Sequence, residues 1–151
     1  MKAAEVTDAV ITALESGRFD HVRLNLANGD MVGHTGHLEA TRIALECIDL
    51  QLARLEAAVA AADGVLLVTA DHGNADEMFL RKKGKLLVDD QGRPQPRTSH
   101  TLNPVPFILV NPRGDLALRS VDAAGLASVG TTILELCGLE APSDWAPGLV
   151  G

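Results

Sequence analysis

Apolar positions along this chain change period several times, and each change predicts an element. Residues 3 to 16 put Val6, Ala9, Val10, Ala13 and Leu14 on one helical face, with Gly17 placed to end the helix. His21 to Leu26 alternates and predicts a strand. Ala27 to Gly36 follows, where three glycines in eight residues argue against a regular helix. A long helix then runs to about Ala61, because Leu38, Thr41, Leu45, Ile48, Leu52, Leu55 and Val59 recur at spacings of three and four. The apolar run Val65 to Val68 is short, uninterrupted and stops at Asp71-His72-Gly73-Asn74. It predicts a strand buried on both faces, as in a parallel sheet.

Beyond that strand the pattern predicts a short helix around Ala75 to Leu80. Lys83 to Arg97 is polar and punctuated by Gly and Pro, with a turn at Asp90-Gln91-Gly92, and predicts a protruding hairpin or loop. Val105 to Val110 reads as a second buried strand, pushed toward an edge by Pro104 and Pro106. Asp122 opens a last helix with Leu126, Val129, Ile133 and Leu136 inward, closed by Gly138. The tail carrying Pro142, Trp145 and Pro147 reads as irregular surface packing. Helices alternating with strands predict an α/β fold with a mostly parallel sheet. Three strong strands are few for such a sheet, and part of the fold is expected to be missing.

Composition narrows the partners. The net charge is −7, and Arg81-Lys82-Lys83 is the longest basic run, which argues against nucleic acid or an acidic membrane surface. At 151 residues one domain, 1–151, is the default. Cys47 and Cys137 fall in helical patterns with no metal-like spacing and read as reduced, buried small hydrophobes of a cytoplasmic protein. Glu5, Asp8 and Glu15 interrupt residues 1 to 20, which do not read as a signal peptide, and no stretch is apolar enough to span a membrane.

The candidate chemistry lies at strand ends. Asp30 with His34, Asp71 with His72, and His100 sit in loops beside predicted strands and offer two carboxylates and three imidazoles. Taken singly, each reads as a turn Asp or a solvated His. Taken together, a mixed oxygen and nitrogen set suits Mn²⁺, Zn²⁺ or Co²⁺ better than Ca²⁺. Five ligands exceed one tetrahedral site and fall short of two six-coordinate ones, so a two-metal cluster needing further ligands is the natural reading. Such clusters clamp the attacking and leaving oxygens of a phosphoryl group. His21 reads as structural, His37 as solvated in the first turn of its helix, and Glu77 as a charge complementing a helix dipole. Gly73 and Asn74 shape the turn. None of Ser16, Ser99, Ser120, Ser128 and Ser143 follows a strand as an exposed nucleophile elbow.

The strings NLANGDMVGHTGHLEAT, VTADHGNADEM and TSHTLNPVPFIL, in this order, closely resemble the carboxyl-terminal region of the cofactor-independent (2,3-bisphosphoglycerate-independent) phosphoglycerate mutases. That family belongs to the alkaline phosphatase superfamily. The likeness covers essentially the whole chain, and the Lys82 to Arg97 stretch and the Trp145-Ala146-Pro147 tail look like the plant and trypanosomatid branch. The resemblance implies a three-layer αβα fold, present here as its carboxyl-terminal portion. It implies interconversion of 3-phosphoglycerate and 2-phosphoglycerate in glycolysis through a phosphoserine enzyme with two divalent metals. Mn²⁺ is the expected ion, with Co²⁺, Mg²⁺ or Zn²⁺ as alternatives. Carried over by motif, Asp30, His34 and His100 hold one metal, and Asp71 and His72 help hold the other. The family's nucleophilic Ser, a further Asp, the phosphate-contacting Lys and the glycerate-clamping Arg residues have no match here. The expectation is therefore a truncated or split enzyme, inactive alone, that works with a missing amino-terminal part. The rival readings are a non-catalytic metal-binding or interaction module on the same scaffold, or another alkaline-phosphatase-like phosphohydrolase or phosphomutase. The Asn28 to Gly36 string argues against the last.

Overall fold

A computed structural model describes residues 1–111 and 113–151. Four helices are formed: α1 (Ala3–Glu15), α2 (Asn28–Gly33), α3 (Leu38–Ala61) and α4 (Ala127–Leu136). The strands are β1 (Leu66–Thr69), β2 (Arg81–Lys82), β3 (Lys85–Leu86) and β4 (Phe107–Val110). The α/β architecture expected from the sequence is present. No helix among the described residues is long and apolar enough to cross a membrane.

Helices α1 and α2 both pack on α3. The α1 end point agrees with the glycine signal: Gly17 takes φ +60°, and its N–H donates to the Leu14 carbonyl at 3.1 Å. The buried face of α3 carries Thr41, Ala44, Gln51, Leu55 and Val59. It is rotated from the expected stripe, since Leu38 and Leu45 are exposed and Ala44 and Gln51 go inside. Both α1 and α2 pack on this helix, and its buried positions are those they cover.

The strands depart from expectation in direction. β1 and β4 pair antiparallel, Leu66 opposite Val110 and Thr69 opposite Phe107, where the apolar runs implied parallel neighbours. A parallel pair needs a crossover, usually helical, and residues 70–106 contain none. The short helix expected at Ala75 to Leu80 does not form; this stretch turns and enters an arm. In the arm, β2 and β3 pair around Lys83 and Gly84, both at positive φ, and isolated bridges join Phe79 to Pro96 and Val88 to Pro94. Asp89 closes the distal turn by accepting from the backbone N–H groups of Gln91 and Arg93, each at 2.9 Å. β1 is half-buried rather than buried on both faces. His21 to Leu26 alternates exposed and half-buried residues but forms no strand, and its backbone finds no ladder partner among the described residues. Alternation specifies an extended segment, and pairing additionally needs a neighbouring strand.

α4 starts at Ala127 rather than Asp122, and its buried side chains are hydroxylic: Ser128, Thr131 and Thr132. Thr131 and Thr132 hold the tail, which is pinned rather than irregular. The Thr131 hydroxyl donates to the Ala146 carbonyl at 2.6 Å, and the Leu149 N–H donates to the Thr132 oxygen at 2.9 Å. Leu118 and Val150 form a bridge, and Trp145 lies against Gly130. Leu126 is exposed. Both cysteines are free; Cys47 is half-buried, and Cys137 is exposed rather than buried, at the carboxyl end of α4.

Candidate metal centre

Three chain segments converge on one point. α2 forms across the glycine-rich stretch after all, because its glycines answer to close packing rather than to flexibility. A Cβ at Gly29 would stand 3.1 Å from Leu45 of α3, and one at Gly33 would collide with the side-chain oxygen of Asn74. The helix sets Asp30 and His34 one turn apart on the same face. The antiparallel ladder does the rest. Since Thr69 at the end of β1 lies opposite Phe107 at the start of β4, the segments leaving and entering that end stay together. They bridge again at Gly73 and Thr101, where the Thr101 N–H donates to the Gly73 carbonyl at 2.8 Å. His72 and His100 precede the two bridged residues, and their rings stack with centroids 3.6 Å apart.

Asp30, His34 and His100 form a tight triad. Asp30 Oδ1 is 3.2 Å from His34 Nε2 and 3.1 Å from His100 Nε2, and the two Nε2 atoms are 3.1 Å apart. His34 Nδ1 lies 2.7 Å from the Thr98 carbonyl oxygen. A carbonyl can only accept, so Nδ1 donates to it, which leaves Nε2 as the ring nitrogen facing the triad. A carboxylate oxygen and two imidazole nitrogens converging at this distance can share one cation between them. The spacing is that of adjacent ligands at about 2.1 Å from one ion, and the mixed donor set suits a transition metal. The residues present therefore fit a divalent metal.

Asp71 and His72 flank this triad. Asp71 Oδ1 is 3.6 Å from His72 Nε2, and the Asp71 carboxylate is almost fully exposed. His72 Nδ1 is buried and has no hydrogen-bond partner. The structure thus gathers Asp30, His34 and His100 into one cluster, with Asp71 and His72 alongside through the stacked rings. His37 stands outside it: its Nδ1 accepts from the Ala40 N–H at 3.2 Å and caps α3. Glu77, with no helix to complement, pairs with Arg97 at 3.3 Å. His21 is exposed. Two further participants, buried Asn74 and exposed Asp76, had no separate signal in the spacing. Asn74 Nδ2 donates to Asp30 Oδ1 at 2.8 Å, and Asp76 accepts from the Thr101 hydroxyl at 2.9 Å.

This chain is similar to known metalloenzymes along its length. It is 49% identical over 155 residues to a 2,3-bisphosphoglycerate-independent phosphoglycerate mutase of Trypanosoma brucei brucei, covering 99% of this chain and 28% of that protein. It is 45% identical over 154 residues to phosphoglycerate mutase 1 of Arabidopsis thaliana, with the same shares covered. Its backbone matches a crystal structure of Leishmania mexicana phosphoglycerate mutase, determined at low cobalt concentration, with a TM-score of 0.96 at 48% identity. That match covers 100% of this chain and 28% of the other, so the fold is the alkaline-phosphatase-like one. The chain spans 28% of the length of the relatives it matches. A family described as the Metalloenzyme superfamily matches residues 1–141, and with a ligand triad assembled inside that span the chain belongs to this superfamily.

Proposed function

We propose that residues 1–151 are the carboxyl-terminal, metal-holding part of the phosphatase-like domain of a cofactor-independent phosphoglycerate mutase. The enzyme interconverts 3-phosphoglycerate and 2-phosphoglycerate by phosphoryl transfer through a serine, in the cytoplasm. The single observation that carries this reading is the convergence of Asp30 Oδ1, His34 Nε2 and His100 Nε2 within 3.1–3.2 Å of one another. Asp30, His34 and His100 hold one divalent ion, and Asp71 and His72 contribute to a second, with Mn²⁺ the preferred ion. A bound pair of such ions neutralises the charge on a transferring phosphoryl group and orients it.

The chain's own residues hold and aim this apparatus. The Thr98 carbonyl fixes the His34 tautomer, and the stacked ring of His72 walls one side of His100. The exposed Asp71 carboxylate faces outward, ready for ligands and substrate supplied by further polypeptide. The surface area argues for that polypeptide. The chain exposes 9991 Å², whereas a compact monomer of 15.9 kDa exposes about 7,300 Å². The excess, and the unpaired segment His21 to Leu26, suit a part that packs against the remaining length seen in its relatives.

Calorimetric titration of the purified chain with Mn²⁺, paired with a mutase assay on 3-phosphoglycerate, tests the reading. Saturable binding without turnover is the expected result. Turnover by the chain alone would contradict the assignment of the acceptor serine to another segment. Absence of binding would remove the metal centre.

A further inference from the structure

The turn that follows His72 does more than reverse the chain. Asn74 and Asp76, two residues apart, reach two different ligand-bearing segments. Asn74 is buried, and its Nδ2 donates to Asp30 Oδ1 at 2.8 Å and lies 3.5 Å from the Asp30 carbonyl. Asp30 Oδ1 is the oxygen that also faces His34 and His100. Asp76 reaches the other way. It accepts from the Thr101 hydroxyl at 2.9 Å and from Asn103 Nδ2 at 2.6 Å. Thr101 is buried and directly follows His100. The gap between these segments is closed to any side chain at Gly73, where a Cβ would strike both Thr101 Oγ1 and the Asp76 carboxylate.

We infer that Asn74 and Asp76 are positioning residues that lock the Asp30 and His100 ligands to the His72 turn, so that the three ligand segments are set as one unit. This rests on the metal-centre reading proposed above and adds to it how the centre is preorganised. A ligand carboxylate with one oxygen already accepting from an amide has lost most of its freedom to rotate. A histidine followed by a backbone-bridged, side-chain-anchored Thr101 cannot swing independently of His72. The two hydrogen-bonding devices leave from one short turn, so a displacement of either segment is resisted by the other.

The test is titration of the chain with Co²⁺, read by its visible absorption, in Asn74→Ala, Asp76→Ala and Asp76→Asn. Asp89→Ala serves as the control, because Asp89 anchors a turn in the distal arm through comparable hydrogen bonds. Each alanine variant at 74 and 76 is expected to weaken Co²⁺ binding by about tenfold to a hundredfold and to alter the band shape, the scale of losses in residues that orient ligands. Asp76→Asn keeps a carbonyl acceptor and is expected to recover part of the loss, with a metal-free melting temperature between those of Asp76→Ala and the parent. Asp89→Ala is expected to lower the melting temperature and leave Co²⁺ binding unchanged. Unchanged binding in both Asn74→Ala and Asp76→Ala overturns the inference, as does an equal loss in Asp89→Ala. Should the parent chain bind no Co²⁺, the metal-centre reading fails. Positioning is then decided in the metal-free chain by the ring-proton NMR shifts of stacked His72 and His100. Loss of the stacking shift in Asp76→Ala sustains positioning, and retention refutes it.

Discussion

Thr98 decides the chemistry of His34 without contributing a side chain. Its carbonyl, 2.7 Å from Nδ1, fixes the proton there and frees Nε2. The triad therefore has donor atoms of the right kind at the right spacing before any ion arrives. Removing one donor leaves too few to hold an ion tightly, so Asp30→Ala, His34→Ala and His72→Ala are each expected to weaken Mn²⁺ binding by tenfold to a hundredfold or more; calorimetry measures it. The five candidates stood out in the sequence only as a set at strand ends, since each alone reads as a turn Asp or a solvated His; the structure gathers Asp30, His34 and His100, with His72 stacked on His100. Asn74, Asp76 and the capping role of His37 were not legible there, since each depends on what stands opposite in space. Asp76 also has a pH signature. Burial works to raise its carboxyl pKa, but hydrogen bonds from Asn103 and Thr101 and the backbone N–H groups of Asp76 and Asn74 outweigh it and hold the carboxyl below its ordinary value. A carboxylate held low in the folded state stabilises the fold above its unfolded pKa of about 3.9, and that contribution is lost as pH falls through the lower, folded value. Melting temperature is therefore expected to drop as the medium is taken below about pH 4, with a shallower drop in Asp76→Asn.

At the scale of elements, α2 illustrates how packing overrides local preference. Glycines disfavour a helix interior by roughly 0.5–1 kcal/mol each relative to alanine. Here Gly33 nevertheless cannot become alanine, because Asn74 occupies the space and is itself tied to Asp30. Gly33→Ala is expected to destabilise the chain by about 1–3 kcal/mol despite the better helix former, as overpacking does, and to weaken metal binding. A raised melting temperature in that variant would refute the packing argument. α4 shows the same limit on pattern reading. Its apolar periodicity marked a helix, while the side chains that go inside are hydroxylic, two of which, Thr131 and Thr132, fasten the tail. Thr132→Val keeps the shape but removes the partner of the half-buried Leu149 N–H, so a loss of about 1 kcal/mol is expected from denaturant unfolding. For α3 the element was legible over its full length, and the rotation of its buried face was not, because which turn of the helix is covered depends on where α1 and α2 pack against it.

Across the whole molecule, the antiparallel return of the chain from β1 to β4 is what makes a site. It holds the His72 and His100 segments side by side at one end of the ladder, and α2 brings Asp30 and His34 to meet them. Helices alternating with apolar strands were enough to read the α/β class. Strand direction was not legible, since an apolar run gives burial but no orientation, and the arm between the strands carried no crossover helix to fix it. The half-buried β1 and the large exposed area have one physical meaning: these residues form a surface as well as a core. The central claim is that Asp30, His34 and His100 hold one ion. Anomalous diffraction from crystals of the chain equilibrated with Mn²⁺ addresses it most directly. A peak within about 2.1–2.2 Å of Asp30 Oδ1, His34 Nε2 and His100 Nε2 is the predicted result. Saturating Mn²⁺ that gives no peak there, or peaks only on other carboxylates, would contradict it.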